Sequence, residues 1–261
     1  MDFNRPISIL DTETTGFLAA PRPGSGDEAD RIIELGVVKL PQGRASPAEA
    51  RTHYQQYTHP EREIPQSAVD VHGLRLGDVI RLSEGRRFVD VVDDFLAFVS
   101  GTTLVAHNAS FDVSFLNAEL ARCNKILGEE RYGKIDDYVD GVFDSLRYAN
   151  VCRPGKQNNL NALCLHYSVD TSGREFHGAL LDCELLAEVF IRMTGEERRV
   201  ALSPNAGRER FASRLAPTPL VRPSEAALPV IRASGAERDA HERLMARISQ
   251  SSESTPGWPS P

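Results

Sequence analysis

Two carboxylates stand two residues apart in the stretch Ile9-Leu10-Asp11-Thr12-Glu13-Thr14-Thr15-Gly16-Phe17, directly after the apolar run "PISIL". In a strand, residues i and i+2 point the same way, so Asp11 and Glu13 share one face and Thr12 takes the other. Carboxylates that close repel, and one takes up a proton unless a positive charge lies between them. A divalent cation that prefers hard oxygen ligands, Mg²⁺ or Mn²⁺, meets that need. The pair alone is a weak signal, because a solvated strand end also accommodates it.

Two further segments close on an acid. In "LVAHNASFD" an apolar strand stops at His107-Asn108, and Asp112 falls in the first turn of the following helix. An acid there is also what the helix dipole favours. In "HGALLDCELLAEVF" His177 precedes a helix and Asp182 lies inside it, followed by the apolar stripe Leu185, Leu186, Val189 and Phe190. A carboxylate among buried positions needs a charge partner or water. Five helical residues turn through about 500°, so His177 and Asp182 do not stack. The spacing divides the work, with Asp182 fixed on the helix as a ligand and His177 on the looser segment before it.

The elements that must carry these residues alternate. "PISILD" and "RIIELGVVKL" are β-branched apolar runs, "ARTHYQQYTHP" has the period of a third strand, and "GTTLVAHN" is a fourth. Between the first two, "LAAPRPGSGDEAD" reads as a surface loop. Helices are predicted for "FVDVVDDFLAFVS", "ASFDVSFLNAELARC", "FDSLRYANV", "NNLNALCLHY" and "GALLDCELLAEVFIRMTG". Strands first, then strands and helices in alternation, predict an α/β chain with a mixed sheet flanked by helices.

With 261 residues, 41% of them hydrophobic, the chain has material for one sizeable domain and an extension. No run approaches the ~20 apolar residues of a membrane span, and "MDFNRP" opens no secretory signal, so a cytoplasmic protein without membrane contact is expected. Cys123, Cys152, Cys164 and Cys183 show no pairing pattern and read as reduced thiols. A net charge of −7 argues against a broad electrostatic grip on duplex nucleic acid. Neither GxGxxG nor GxxxxGK[ST] follows the first strand, which sets aside dinucleotide-binding and P-loop readings.

Composition changes near Pro204. Residues 204–261 hold eight of the sixteen prolines and no lysine; eight arginines against six acids give +2, leaving −9 on residues 1–203. Residues 1–200 are expected to form the catalytic domain and 201–261 a flexible Pro-rich tether and tail. Inside the tail, "SGAERDAHERLMARISQ" carries a capping box at Ser234 and Glu237 and an apolar stripe at Ala236, Ala240, Leu244 and Ile248. A short amphipathic helix on a tether reads as a docking element.

The three motifs, D-x-E, an Asp after a strand and H-x₄-D, resemble the histidine-containing branch of the DEDD exonuclease superfamily. "ILDTETTG", "IIELGVV", "VHGL", "LVAHNASFD", "DSL", "PGKQNNLNALC" and "HGALLDCELLAEVFIRMTG" resemble the epsilon proofreading subunits of bacterial DNA polymerase III, as does "VIRASGAERDAHERL" with Trp258 near the end. The resemblance covers nearly the whole chain and implies a ribonuclease H-like sheet. It implies two divalent ions, Mg²⁺ or Mn²⁺, held by Asp11, Glu13, Asp112 and Asp182. His177 becomes the general base, an imidazole with an ordinary pKa of ~6.5 suiting that role. Thr14, Thr15, Phe17, His72, Asn108 and Phe111 become contacts to a single-stranded or frayed DNA 3′ terminus. Ser67 stands where the family carries an acid and is left out. The tail is expected to bind the polymerase III alpha subunit, with a small theta-like subunit left open. After "RMTG" the stretch "EERRVALSP" lacks the Gln-initiated apolar peptide of the family, which argues against a sliding-clamp contact. Two alternatives stand beside this reading: a free-standing DEDD exonuclease on RNA or single-stranded DNA, and a catalytically silent scaffold.

Overall fold

The computed structural model describes residues 2–20, 28–172 and 176–202, with side chains of the last helix to residue 195, and residues 234–236, 239 and 241–243. The chain divides into two units, Met1–Arg208 and Glu209–Pro261. The first is built on five strands: β1 (Ile7–Thr14), β2 (Ile32–Leu40), β3 (Thr52–Tyr57), β4 (Thr103–Ala106) and β5 (Gly141–Asp144), in spatial order β3-β2-β1-β4-β5. β1 is antiparallel to β2, and β2 to β3; β1 is parallel to β4, and β4 to β5. Helices α1 (Gln66–His72), α2 (Leu76–Ser83), α3 (Val92–Val99), α4 (Ala109–Leu127), α5 (Ser145–Cys152), α6 (Leu160–Tyr167) and α7 (Ala179–Leu202) surround it. The mixed sheet flanked by helices is as the residue pattern predicts.

Departures are local. β1 runs on through both carboxylates, past the predicted end at Asp11. The helix predicted over residues 88–100 splits into a 3₁₀ turn at Phe88–Asp90 and α3. β5, "GVFD", takes the start of what reads as one helix, and α1 and α2 have no counterpart in the sequence reading. In the second unit, described residues 235, 236, 239 and 241–243 are helical, within the docking helix expected there. The Pro-rich tether and Trp258 lie outside the described residues.

Each face of the sheet buries its own apolar layer. Leu10, Leu35, Val37 and Leu104 pack under Phe95 and Leu96 of α3 and Phe115, Leu116 and Leu120 of α4. Ile7, Ile9, Val38 and Val105 point the other way, onto Cys183, Leu186, Ala187 and Phe190 of α7. A second stripe of α7, Leu185, Val189 and Met193, packs against Leu163, Cys164 and Tyr167 of α6. α7 is therefore held between the sheet and α6, with Asp182 at the start of its buried run.

Two features then place the acids. β1 pairs with β4 only from Ile7 to Ile9, and β4 stops at Ala106, so β1 overhangs its parallel neighbour just where Asp11 begins. The second feature is Gly36 on β2, the cross-strand partner of Asp11. A Cβ on Gly36 would lie 2.3 Å from the Ala179 carbonyl carbon and 2.5 Å from the Leu180 nitrogen. Only glycine lets the first turn of α7 rest on the sheet beside Asp11. Gly36→Ala is expected to lift that turn and to cost about 1–3 kcal/mol, typical of overpacking. A lowered urea midpoint checks this; an unchanged midpoint would show that α7 tolerates the added methyl.

Candidate active site

Parity along β1 decides where its polar end points. Asp11 and Glu13 continue the row of Ile7 and Ile9 that faces α7, whereas Thr12 continues the row of Leu10 that faces α4. Pairing with β2 shifts register between Glu13 and Thr14, the kind of irregularity that re-aims side chains. Asp112, in the first turn of α4, comes from the opposite face into the space beyond β4, where the Thr12 hydroxyl donates to its Oδ1 at 2.8 Å. Asp182 arrives on α7. Glu13, Asp112 and Asp182 are all at least nine-tenths buried, at 7%, 3% and 4% exposure.

The electrostatics record the crowding. Burial holds the Asp11 carboxyl well above its ordinary pKa, and the charges of Asp112, Glu13, Asp182 and Glu34 push it further. Burial also pushes Asp112 up to about 7, against the hydrogen bond from Thr12, with Asp144 adding to the rise. Asp112, Glu13 and Asp182, from three elements, thus lie within interaction range of Asp11. His177 joins them from the segment before α7, its Nδ1 3.2 Å from Asp182 Oδ2, while the ring stays half-exposed. One atom each from Glu13, His177 and Asp182 fall within 4.8 Å of one another, close enough to ligate a common ion. An oxygen-rich donor set whose own charges conflict fits a hard divalent cation.

A pocket of about 350 Å³ opens beside these acids, lined by Thr12, Glu13, Thr14, Phe17, His72 and Phe111 among others. Phe17 is 87% exposed, its ring meeting the edge of Phe111 at a centroid distance of 6.3 Å. Phe111 is anchored in turn on Phe115 at 4.8 Å. An exposed ring braced on a partly buried one, itself backed by a buried ring, is a platform on which a base can stack. His72 is buried, and its Nδ1 accepts from the Leu74 amide at 3.1 Å. Burial lowers its pKa, the Thr14 backbone opposes that, and charge on His177 adds to the lowering. Ser67 also lines the pocket. Asn108 is an exposed left-handed residue at the turn into α4, outside that lining.

Thr15 occupies a supporting place. It is fully buried; its hydroxyl donates to Asp30 Oδ1 at 2.9 Å and accepts from the Arg31 amide at 3.0 Å. Asp30 Oδ2 also accepts from the Leu18 amide, so the loop bearing Phe17 is pinned at both ends. Arg31 is locked in turn by Glu119 of α4, with Nε–Oε1 at 2.6 Å and Nη2–Oε2 at 3.0 Å, in a bidentate buried pair. Asp30, Arg31 and Glu119 escape sequence reading because neither period nor spacing marks them. Glu34 escapes it too: "IIELG" reads as a buried strand, and its acid, opposite Glu13, is held by Gln55 at 2.8 Å. A larger cavity of about 710 Å³, lined by Arg31, Arg62, Glu119 and Lys125, touches none of the five chemical residues.

Cation binding must displace the protons that burial, first, and crowding retain. Asp112 folds with a pKa of about 7 against an ordinary 3.8, so the folded chain binds more protons than the unfolded one between those values. Without metal, stability should therefore fall as pH rises through that window. Mg²⁺ or Mn²⁺ should restore it, releasing protons as it binds and binding more tightly at higher pH. Calorimetric titration in buffers of different ionisation enthalpy measures the release; heats independent of buffer would contradict it.

Residues 8–190 match the family described as Exonuclease. The DNA polymerase III subunit epsilon of Salmonella typhimurium is 36% identical over 234 residues, 90% of this chain and 89% of that protein. The subunit of the same name from Haemophilus influenzae is 40% identical over 192 residues, 74% and 68% of the two chains. Among solved structures, the nuclease domain of 3′hExo, a DEDDh family member bound to rAMP, superposes with a TM-score of 0.56 at 21% identity, covering 74% of this chain and 94% of that one. That likeness is one of fold, and it makes the five-stranded sheet a ribonuclease H-like exonuclease sheet. By its sequence along nearly its whole length, the chain belongs to the exonuclease family, among the epsilon subunits of bacterial DNA polymerase III.

Proposed function

We propose that the chain is a metal-dependent 3′→5′ exonuclease that removes misincorporated nucleotides from the 3′ end of DNA, as the proofreading subunit of the replicative polymerase. Asp11, Glu13, Asp112, Asp182 and His177 are its catalytic residues. What carries the assignment is the convergence of four carboxylates on one another beside a half-exposed imidazole, at the mouth of a pocket rimmed by Phe17.

The four acids are the ligands for two divalent ions, Mg²⁺ or Mn²⁺. When bound, the ions supply the positive charge that favours an attacking hydroxide and a departing 3′ oxygenate. The protein's own residues do the rest. His177 faces Asp182 with Nδ1 and takes the proton from water on its other ring nitrogen, Nε2. Thr12 holds Asp112 by its hydroxyl and so fixes which carboxylate oxygen faces the site. Phe17 and Phe111 receive the terminal base, and His72 lines the same pocket beside the sugar and phosphate. Thr14 and Thr15 shape the loop, while Asn108 meets the strand outside the pocket.

The tail, residues 201–261, is the attachment to the polymerase alpha subunit. An alignment of 234 residues with the Salmonella typhimurium subunit cannot fit inside residues 1–203, so the similarity enters this tail. A core charge of −9 gives little affinity for paired DNA, and tethering raises the local concentration of frayed ends instead.

Digestion of a mispaired primer with Mg²⁺, before and after chelation, tests the reading. His177→Ala is expected to lose about 10²–10⁴-fold in kcat, the usual worth of a general base, while retaining metal and DNA binding. Asp11→Ala should lose both rate and metal occupancy. Full turnover by the His177 variant, or hydrolysis that survives the chelator, would refute the mechanism. Co-elution with the alpha subunit by the full chain, lost on truncation at residue 203, is the expected result for the tail; no complex would favour a free-standing enzyme.

Asp30→Ala frees the Phe17 loop at both of its ties. It is expected to raise KM for a single-stranded oligonucleotide several-fold with a smaller change in kcat, since the loop serves binding more than chemistry.

A further inference from the structure

Phe176 is a large aromatic side chain left 57% exposed, immediately before His177. Its ring lies over Gly73: a Cβ added there would meet Cγ, Cδ1 and Cδ2 at 3.0, 3.2 and 3.3 Å. Gly73 caps α1 in the left-handed conformation, with φ of +76°, which glycine adopts without strain. The absence of a side chain at that position is what makes room for the ring. Next to this contact the His177 amide donates to the Val71 carbonyl at 3.3 Å. Residues 71–73 and 176–177 therefore run together through one hydrogen bond and one apolar contact. Val71 and His72 of the same short segment line the nucleotide pocket. His72 is close enough to His177 to feel its charge.

From this we infer that Phe176, seated on Gly73, is a positioning residue that sets where His177 stands relative to the carboxylates. The inference rests on the proposed role of His177 as general base. The seat acts beside the hydrogen bond to Val71 and the 3.2 Å contact with Asp182 on a segment that carries a half-exposed ring. Because the seat at Gly73 directly follows Val71 and His72 of the pocket wall, the base is best placed when that wall is in order.

The test uses the full chain and single-turnover digestion of a single-stranded oligonucleotide. Phe176→Ala is expected to lower kcat roughly tenfold to a hundredfold, the penalty of a misplaced catalytic group. KM should stay within about twofold, and Phe176→Leu should recover most of the rate. The decisive comparison is a double-mutant cycle with His177→Ala, in which removing the ring should cost nothing further. In the metal-free Phe176→Ala protein the His177 amide should exchange faster with solvent, with the thermal midpoint unchanged. An equal loss with and without His177, or a raised KM at constant kcat, overturns the assignment and makes Phe176 a substrate contact or a merely structural residue. Full activity of His177→Ala by itself would instead overturn the general-base reading on which the seat depends.

Discussion

Carboxylates that share a space smaller than their Coulomb range cannot all ionise without help, and in this protein the conflict sits at one end of β1. Burial first, and then the charges of its neighbours, hold the Asp11 pKa well above the ordinary, and burial does the same for Asp112. For Asp112 burial makes ionisation costly. The fold carries such a cost only because apolar layers on both sheet faces supply the opposing term. A divalent cation turns the same crowding into binding energy.

Geometry explains why the conflict falls there. The site lies at the carboxyl end of a parallel strand pair, where one strand outlasts the other and leaves a gap open to side chains from both faces. One face contributes Asp112 through α4, and the other contributes Asp182 through α7. Strand alternation aims Asp11 and Glu13 at the second of these, while Thr12, aimed at the first, reaches Asp112. Gly36 then sets how closely α7 may lie, so a residue with no side chain governs the distance between two that have the important ones. Cys183, one position after Asp182, fastens the same contact by donating to the Gly36 carbonyl at 3.1 Å.

The parts legible in the sequence are those with strong periodicity or a functional group out of place. β1, β2 and the buried stripe of α7 announce themselves by apolar pattern, and the acids stand out because they interrupt it. β5 is four residues, begins with glycine and shows only half-burial, so it offers no period to read. α1 follows a proline and has only Val69 and His72 buried, too few to reveal a stripe. The support of the Phe17 loop was hidden for a different reason. Asp30, Arg31 and Glu119 act through pairings between residues 15 and 88 positions apart, and separations of that kind appear only when the chain is folded. Thr15 lines the pocket as the motif implies, but its second task, tying the loop backbone and Asp30 together through its hydroxyl, is not legible in the motif.

Acidity at the centre and acidity over the whole core act in one direction. A site that must draw a DNA terminus toward four carboxylates works against repulsion until cations arrive, and the −9 on residues 1–203 adds to that barrier at long range. Such a surface gains nothing from a passing duplex. On the proposed function, specific hold comes from the pocket, where an exposed Phe17 offers stacking, a contact that does not depend on phosphate charge. Stacking requires an unpaired base. A terminus that frays can therefore enter, whereas a paired one would have to forfeit its own stacking and hydrogen bonds first. On that reading, selectivity for frayed ends follows from the cost of melting paired ones, with no need for the protein to recognise a mismatch as such.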